Sequence, residues 1–160
     1  ERPDPLSRGA GMAHWREMPG LADEVLELRV AEGFTADPER APAYLFDIML
    51  RGTSTRVGQV LLRLDREDPG LVAFAGHIGV EIAAEHRGHR HASRAIRLLE
   101  PLARSHGFAE LWLTTSPDNL ASRRTLERLG AVYIDTVEIP ADSDMHALGL
   151  HEVRRYRWAL

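Results

Sequence analysis

One hundred and sixty residues, 44% hydrophobic and 28% charged, make one domain's worth of chain with ample apolar side chains for a core. The absence of cysteine excludes a disulfide framework, a thiolate nucleophile and a cysteine-type zinc site. A formal charge of -4 argues against bulk binding to nucleic acid or to an anionic membrane.

Residues 1–20 include Pro3, Pro5 and Pro19 and show no usable periodicity, so they are expected to be a tail or arm preceding a single domain over 21–160. No apolar run approaches the roughly 20 residues that span a bilayer, and residues 1–20 lack a signal-peptide core; a cytoplasmic location is expected. In 24–31, Val25, Glu27, Arg29 and Ala31 alternate with Leu26, Leu28 and Val30. A strand fits that pattern slightly better than a short helix. Gly33–Pro42 is a polar connection. Tyr44–Leu50 and Arg56–Leu64, separated by RGTST, predict a hairpin. DREDPG (65–70) marks a turn, and Leu71–Ala83 reads as a third strand.

The period then changes. From Ala92 onward, Ala95, Ile96, Leu99, Leu102 and Ala103 recur on one helix face, with Arg94, Arg97, Glu100 and Arg104 outside. Gly107 suits the helix end, and Pro101 is expected to bend the axis. Leu111–Thr115 predicts a buried strand. SPDN (116–119) predicts a turn that caps a helix, with Leu120, Leu126 and Leu129 on its apolar side and Gly130 at its end. Val132–Ile139 and Val153–Ala159 predict two closing strands around the acidic loop ADSDMHALG. The sum is an α/β (α+β) domain with a mixed, mostly antiparallel sheet of six to seven strands and helices on its faces.

The stretch Gly79–Leu99 (GVEIAAEHRGHRHASRAIRLL) carries the chemistry. A strand, a short polar turn and an amphipathic helix aim unpaired N–H groups and the positive end of a helix dipole at one point. Such a point suits a phosphate, with Arg87, Arg90 and His91 beside it. An ordinary connection with solvated basic residues is the alternative. Histidines 86, 89 and 91 follow no defensible zinc spacing, so no metal is expected.

This segment resembles the coenzyme A loop of the GNAT acetyltransferase superfamily, with consensus [QR]-x-x-G-x-[GA]. Arg87 and Ala92 fill the outer positions; Arg90 stands where the family has glycine. SPDNLASRRTLERLGA (116–131) resembles the family's second signature through Asn119, Ser122, Leu129 and Gly130, and the order of elements over 44–160 agrees. The resemblance implies acetyl-CoA as co-substrate. The backbone of Val80 and Ile82 would pair with the pantetheine arm. Arg87, Gly88, His89, Arg90, His91 and Ala92 would surround the pyrophosphate, mainly through their N–H groups. Asn119 and Ser122 would line the other side, or simply cap their helix. The side chain of Arg90 would either crowd the pyrophosphate or pair with it.

The resemblance further implies acetyl transfer to the primary amine of a small-molecule or peptide acceptor, by direct attack in a ternary complex. A non-catalytic coenzyme A-binding sensor or partner-binding module on the same fold is the alternative, and a homodimer is among the arrangements implied. Deprotonating a lysine-like amine of pKa about 10.4 costs about 4.6 kcal/mol at pH 7, whereas an α-amine costs about 1–1.4 kcal/mol. A base is therefore sought on the third strand, where period two places Leu71, Ala73, Ala75, His77, Gly79 and Glu81 on one face. Glu81 is the stronger candidate and His77 the second, about 13 Å apart if fully extended. The family's tyrosine acid is replaced by Leu126; Tyr133 and Tyr156 are the substitutes available. Gly33–Ala43 is too short for the two helices that usually wall the acceptor site. The N-terminal arm, a second subunit or the loop 141–149, with Asp142, Asp144 and His146, would complete it.

Overall fold

The computed structural model describes residues 21–31, 43–64 and 69–160. Expectations for the N-terminal arm, for Gly33–Pro42 and for most of the 65–70 turn lie outside the described residues. Seven strands follow the expected order: β1 (Leu26–Val30), β2 (Ala43–Leu50), β3 (Arg56–Arg63), β4 (Ile78–Ile82), β5 (Glu110–Thr115), β6 (Val132–Glu138) and β7 (Glu152–Ala159). They form two sheets, ordered β1-β2-β3-β4 and β5-β7-β6, with every ladder antiparallel. The alternation of 26–30 thus belongs to a strand.

The run Leu71–Ala83 is not one strand. Helix α1 (Pro69–Ala75) occupies its first half, and β4 starts only at Ile78. The reason lies at the ends of the segment. Proline is preorganised for the first turn of a helix, and glycine suits the left-handed residue after the last turn. Pro69 opens α1, and Gly76 closes it at φ +70. A Cβ at Gly76 would lie 2.8 Å from the Trp112 carbonyl oxygen, so glycine also allows α1 to abut β5. The Thr114 hydroxyl fastens that contact by donating to the Phe74 carbonyl at 3.0 Å.

The bend expected at Pro101 is a full break. Helix α2 (His91–Leu98) ends at Leu99, and Pro101 falls in the first turn of α3 (Glu100–Ser105), where its missing N–H costs no hydrogen bond. Helix α4 (Leu120–Arg128) follows the SPDN turn, and the acidic loop holds one short turn, α5 (Asp144–Ala147). Leu126 and Leu129 are buried as expected, whereas Leu120, in the first turn of α4, is 57% exposed.

Register explains which face is buried. Side chains directly opposed in a ladder share a face. Val30, Phe46, Val60 and Val80 form one such row, and Tyr44, Leu62 and Ile78 another. Against this face α2 and α3 bury Ala95, Ile96, Leu99, Leu102 and Ala103, and Leu111, Leu113, Tyr156 and Trp158 join the same core. The opposite face of the first sheet carries the polar row Asp47, Gln59, Glu81, in which Gln59 Nε2 donates to Asp47 Oδ1 at 3.0 Å.

Candidate active site

The two sheets meet at the base of β4. His77 N donates to the Trp112 carbonyl at 2.7 Å, and Trp112 N donates back to His77 Nδ1 at 2.9 Å. Beyond this junction, no ladder joins β4 to β5 among the described residues. The direction of the free edge follows from parity. Arg63 N donates to His77 O, and Ala83 N to Val57 O, so the carbonyl of His77 and the backbone groups of residues 79, 81 and 83 turn toward β3. Ile78, Val80 and Ile82 therefore present theirs to the opening, and the Val80 side chain is 37% exposed there.

At the end of β4 the chain makes a 3-10 turn, Ala84–His86, and reaches α2 through two left-handed residues, Gly88 (φ +85) and Arg90 (φ 61). Successive N–H groups around such residues converge into an anion-binding concavity. The start of α2 adds to it: no side chain caps Arg90, whereas α4 is capped by Asn119 Oδ1 accepting from Ser122 N at 3.1 Å. The first amides of α2 are the orphan donors that every helix leaves. Ser93 Oγ donates to Arg90 O at 3.1 Å and braces the turn.

Arg90 is the only non-glycine residue at positive φ among the described residues. A left-handed backbone costs an ordinary L-residue about 1–2 kcal/mol, and glycine would recover this less about 0.5–1 kcal/mol of extra unfolded-chain entropy. Arg90→Gly is thus expected to stabilise the fold by about 0.5–1 kcal/mol, read as a raised denaturant midpoint. A lowered midpoint would contradict the left-handed assignment.

The remaining expected residues fall into two groups. Arg87, Gly88, His89 and Arg90 are exposed on the loop, Ala92 is half-buried, and the Arg87 Nε donates to Ile82 O at 2.9 Å. The Ile82 carbonyl is thereby already engaged, which leaves its N–H and both groups of Val80 for an added strand. His91 is buried, and its Nδ1 has no partner among the described residues. Burial, then the nearby His89, His86 and Arg94, hold its pKa below the usual histidine value, against the pull of Asp23. Asn119 is exposed at the head of α4, with Ser122 half-buried one turn on.

Glu81 is exposed on the polar row, opposite the face covered by α2. His77 precedes β4, is 5% exposed and packs edge-on against Phe108 at 5.1 Å. The apolar residues 71–75 share no strand face with it. Leu126 is buried in the core. Tyr133 is exposed on β6 with its hydroxyl 3.0 Å from Thr136 Oγ1, and the core residue Tyr156 accepts from Arg154 Nε at 3.1 Å. Sequence reasoning missed Asp47 and Gln59 as neighbours of Glu81, since only strand register reveals them. It also missed the Arg94 clamp to Asp23 and Glu24 (2.9 and 3.0 Å), which ties α2 to the start of β1.

A family model described as an acetyltransferase (GNAT) domain matches residues 8–132, which is most of the chain. The chain belongs to the GNAT acetyltransferase family. The match spans β4, the loop 83–92 and α4. A search of curated proteins finds no match. Among solved structures, the chain is similar to the microcin C7 self-immunity acetyltransferase MccE in complex with acetyl-CoA and AMP, at 17% identity and TM-score 0.57, covering 74% of this chain and 61% of that one. It is also similar to the ribosomal L7/L12 alpha-N-protein acetyltransferase RimL in complex with coenzyme A (18%, TM-score 0.56, 74% and 62%). A third is the ribosomal-protein-S5-alanine acetyltransferase of Vibrio fischeri (17%, TM-score 0.56, 73% and 61%). At these identities the likeness bears on the GNAT fold alone, and the chain spans about three-fifths of the length of each. Among the described residues no group of three metal-ligating side chains converges, and no helix is long and apolar enough to cross a membrane.

Proposed function

We propose that this chain transfers the acetyl group of acetyl-CoA to a primary amine by direct attack in a ternary complex. The observation that carries this reading is the uncapped start of α2, with left-handed Gly88 and Arg90, at the end of the open edge of β4. The donor set fits the co-substrate. Amides of Gly88–Ala92 and the guanidinium groups of Arg87 and Arg90 suit a pyrophosphate, and Val80 with Ile82 N–H suits the amide-bearing pantetheine arm. Asn119 and Ser122 would close the far side.

Three tasks fall to the residues. The β4 edge and the loop position the thioester beside the amine, a gain worth up to about 7–11 kcal/mol of barrier. In this reading the Val80 N–H donates to the carbonyl oxygen as charge develops there. Glu81 accepts the ammonium proton, directly or through a water, before the nitrogen bonds to the carbonyl carbon and the carbon–sulfur bond breaks. The thiol, with pKa about 8.5, leaves as thiolate with little help near neutral pH, which makes the absent tyrosine acid tolerable. His77 serves this reading less well, because its Nδ1 already accepts from Trp112 N.

A second reading, a coenzyme A-binding sensor or partner-binding module without turnover, is favoured by buried Leu126 and by the engaged hydroxyls of Tyr133 and Tyr156. Calorimetric titration of acetyl-CoA separates the cases. Micromolar binding is expected, weakened tenfold or more (about 1.4 kcal/mol) by Arg87→Ala with Arg90→Ala. Glu81→Gln should keep that binding and lose thiol release with amine acceptors. Binding without thiol release in the unaltered protein would establish the module instead. No binding at high micromolar acetyl-CoA would defeat both.

A further inference from the structure

Three histidines sit at the turn that leads into α2. His86 ends the 3-10 turn, His89 lies between the left-handed residues Gly88 and Arg90, and His91 is the first residue of the helix. Among the described residues no group of three metal-ligating side chains converges, so a shared metal does not account for them. An imidazole in such a place can instead carry a proton, because its ordinary pKa of about 6.5 lies close to neutral pH.

The surroundings oppose that proton. His91 is 7% exposed, and its Nδ1 is buried with no hydrogen-bond partner among the described residues. Its ring centre lies 5.5 Å from that of the exposed His89, so a charge on either ring is felt by the other. Arg87 and Arg90 flank the pair along the chain, and the positive end of the α2 dipole lies at the same place. The elements packed on α2 do little to offset this. Asp23 favours a charged imidazole, but Arg94 already pairs with it and with Glu24. Helix α4 carries Arg123, Arg124 and Arg128 against the single acid Glu127. Glu81 lies on the far face of β4, and Glu85 is exposed on the 3-10 turn. Burial and the neighbouring His89, His86 and Arg94 thus favour the neutral form of His91.

A bound pyrophosphate reverses these signs. Its diester form stays fully ionised near neutral pH, and the amides of Gly88–Ala92 would hold it beside both rings. An anion within about 4–6 Å favours the charged imidazole. We propose that the His89–His91 pair takes up a proton when acetyl-CoA binds, so that affinity for the co-substrate rises as pH falls across neutrality. This rests on the reading of the loop 87–92 as the pyrophosphate site, but not on acetyl transfer. A group whose pKa is higher in the bound state contributes its extra affinity in full below its free pKa and loses it as pH rises through its bound pKa. For His91 the window therefore begins below the ordinary value of 6.5 and extends upward to the bound value.

The test is calorimetric titration of acetyl-CoA at about pH 6 and about pH 8, in two non-phosphate buffers of unequal ionisation heat, which counts the protons exchanged. The 3′-phosphate of acetyl-CoA titrates in the same range and works in the opposite sense, so the unaltered protein is compared with the variant His89→Gln with His91→Gln, in which the ligand's share is the same. Between the higher and the lower pH the unaltered protein should gain about tenfold in affinity relative to that variant, with proton uptake that the variant lacks. His86→Gln should keep both. NMR titration of the imidazole signals in the unaltered protein, with and without acetyl-CoA, reads the same event directly and serves if the double variant does not fold. A raised pKa for either ring of the pair on binding is expected. Ring pKa values unmoved by acetyl-CoA, or a pH dependence and proton uptake that survive the double substitution, would overturn the proposal while leaving the pyrophosphate site in place. Absence of binding at both pH values would defeat the site itself and the proposal with it.

Discussion

Gly58→Ala is expected to destabilise the protein by about 3 kcal/mol or more and to abolish acetyl-CoA binding under conditions where Gly79→Ala does neither. A Cβ at Gly58 would lie 2.0 Å from the Glu81 carbonyl oxygen and 3.0 Å from Glu81 C and Ile82 Cα. All three are backbone atoms of β4, so no side chain can swing away; the strands must separate. The pairs Gly58↔Ile82 and Gln59↔Glu81 would be lost first. Those pairs hold the free edge at Val80 and Ile82, so the loss of stability and the loss of the site have one cause. Gly79 is the internal control in the same ladder. Its Cβ would meet only Arg63 Nη1 and Leu61 side-chain atoms at 3.9–4.0 Å, which is ordinary contact. Denaturant midpoints and calorimetry on both variants check this. Equal destabilisation by the two alanines would mean that β3 and β4 are paired in another register.

Such close approach could not be read from the chain, because glycine in a strand pattern signals only that something lies near. What was legible had a local cause. The helix face from Ala95 to Ala103, the Asn119 cap and the alternation along β2, β3 and β7 each follow from a spacing or a capping side chain. The apolar run 71–75 misled because period two and period 3.6 are indistinguishable over five residues such as LVAFA. Pro69 and Gly76 bracketed the helix correctly, but Pro69 also completes a turn motif with Gly70. The candidate site was half legible for the same reason. The loop 87–92 is contiguous, and its left-handed demand at position 90 is visible only against the family pattern. Asp47, Gln59 and Glu81 come together solely through the register of three strands.

His77 separates structure from catalysis, and its replacement is expected to show the former. His77→Ala should cost about 3 kcal/mol. It removes a buried ring packed on Phe108 and leaves Trp112 N–H without its acceptor, each a recognised source of loss. The junction of the two sheets would loosen, so acetyl-CoA binding should weaken although His77 lies outside the loop 87–92. Asparagine places an amide oxygen near the position of Nδ1, so His77→Asn should restore the Trp112 hydrogen bond and recover a fraction of the stability and of the binding. A catalytic base behaves in the opposite way. Were the imidazole to take the ammonium proton, alanine and asparagine would be equally inactive in kcat, and melting would be little changed by either. The comparison therefore needs three readouts on two variants: denaturant midpoint, acetyl-CoA affinity and kcat. Recovery of all three by asparagine assigns His77 to the junction and leaves Glu81 as the residue of β4 positioned to move a proton. Stable, cofactor-binding variants without turnover would reverse that assignment and make the His77 imidazole the group that takes the proton.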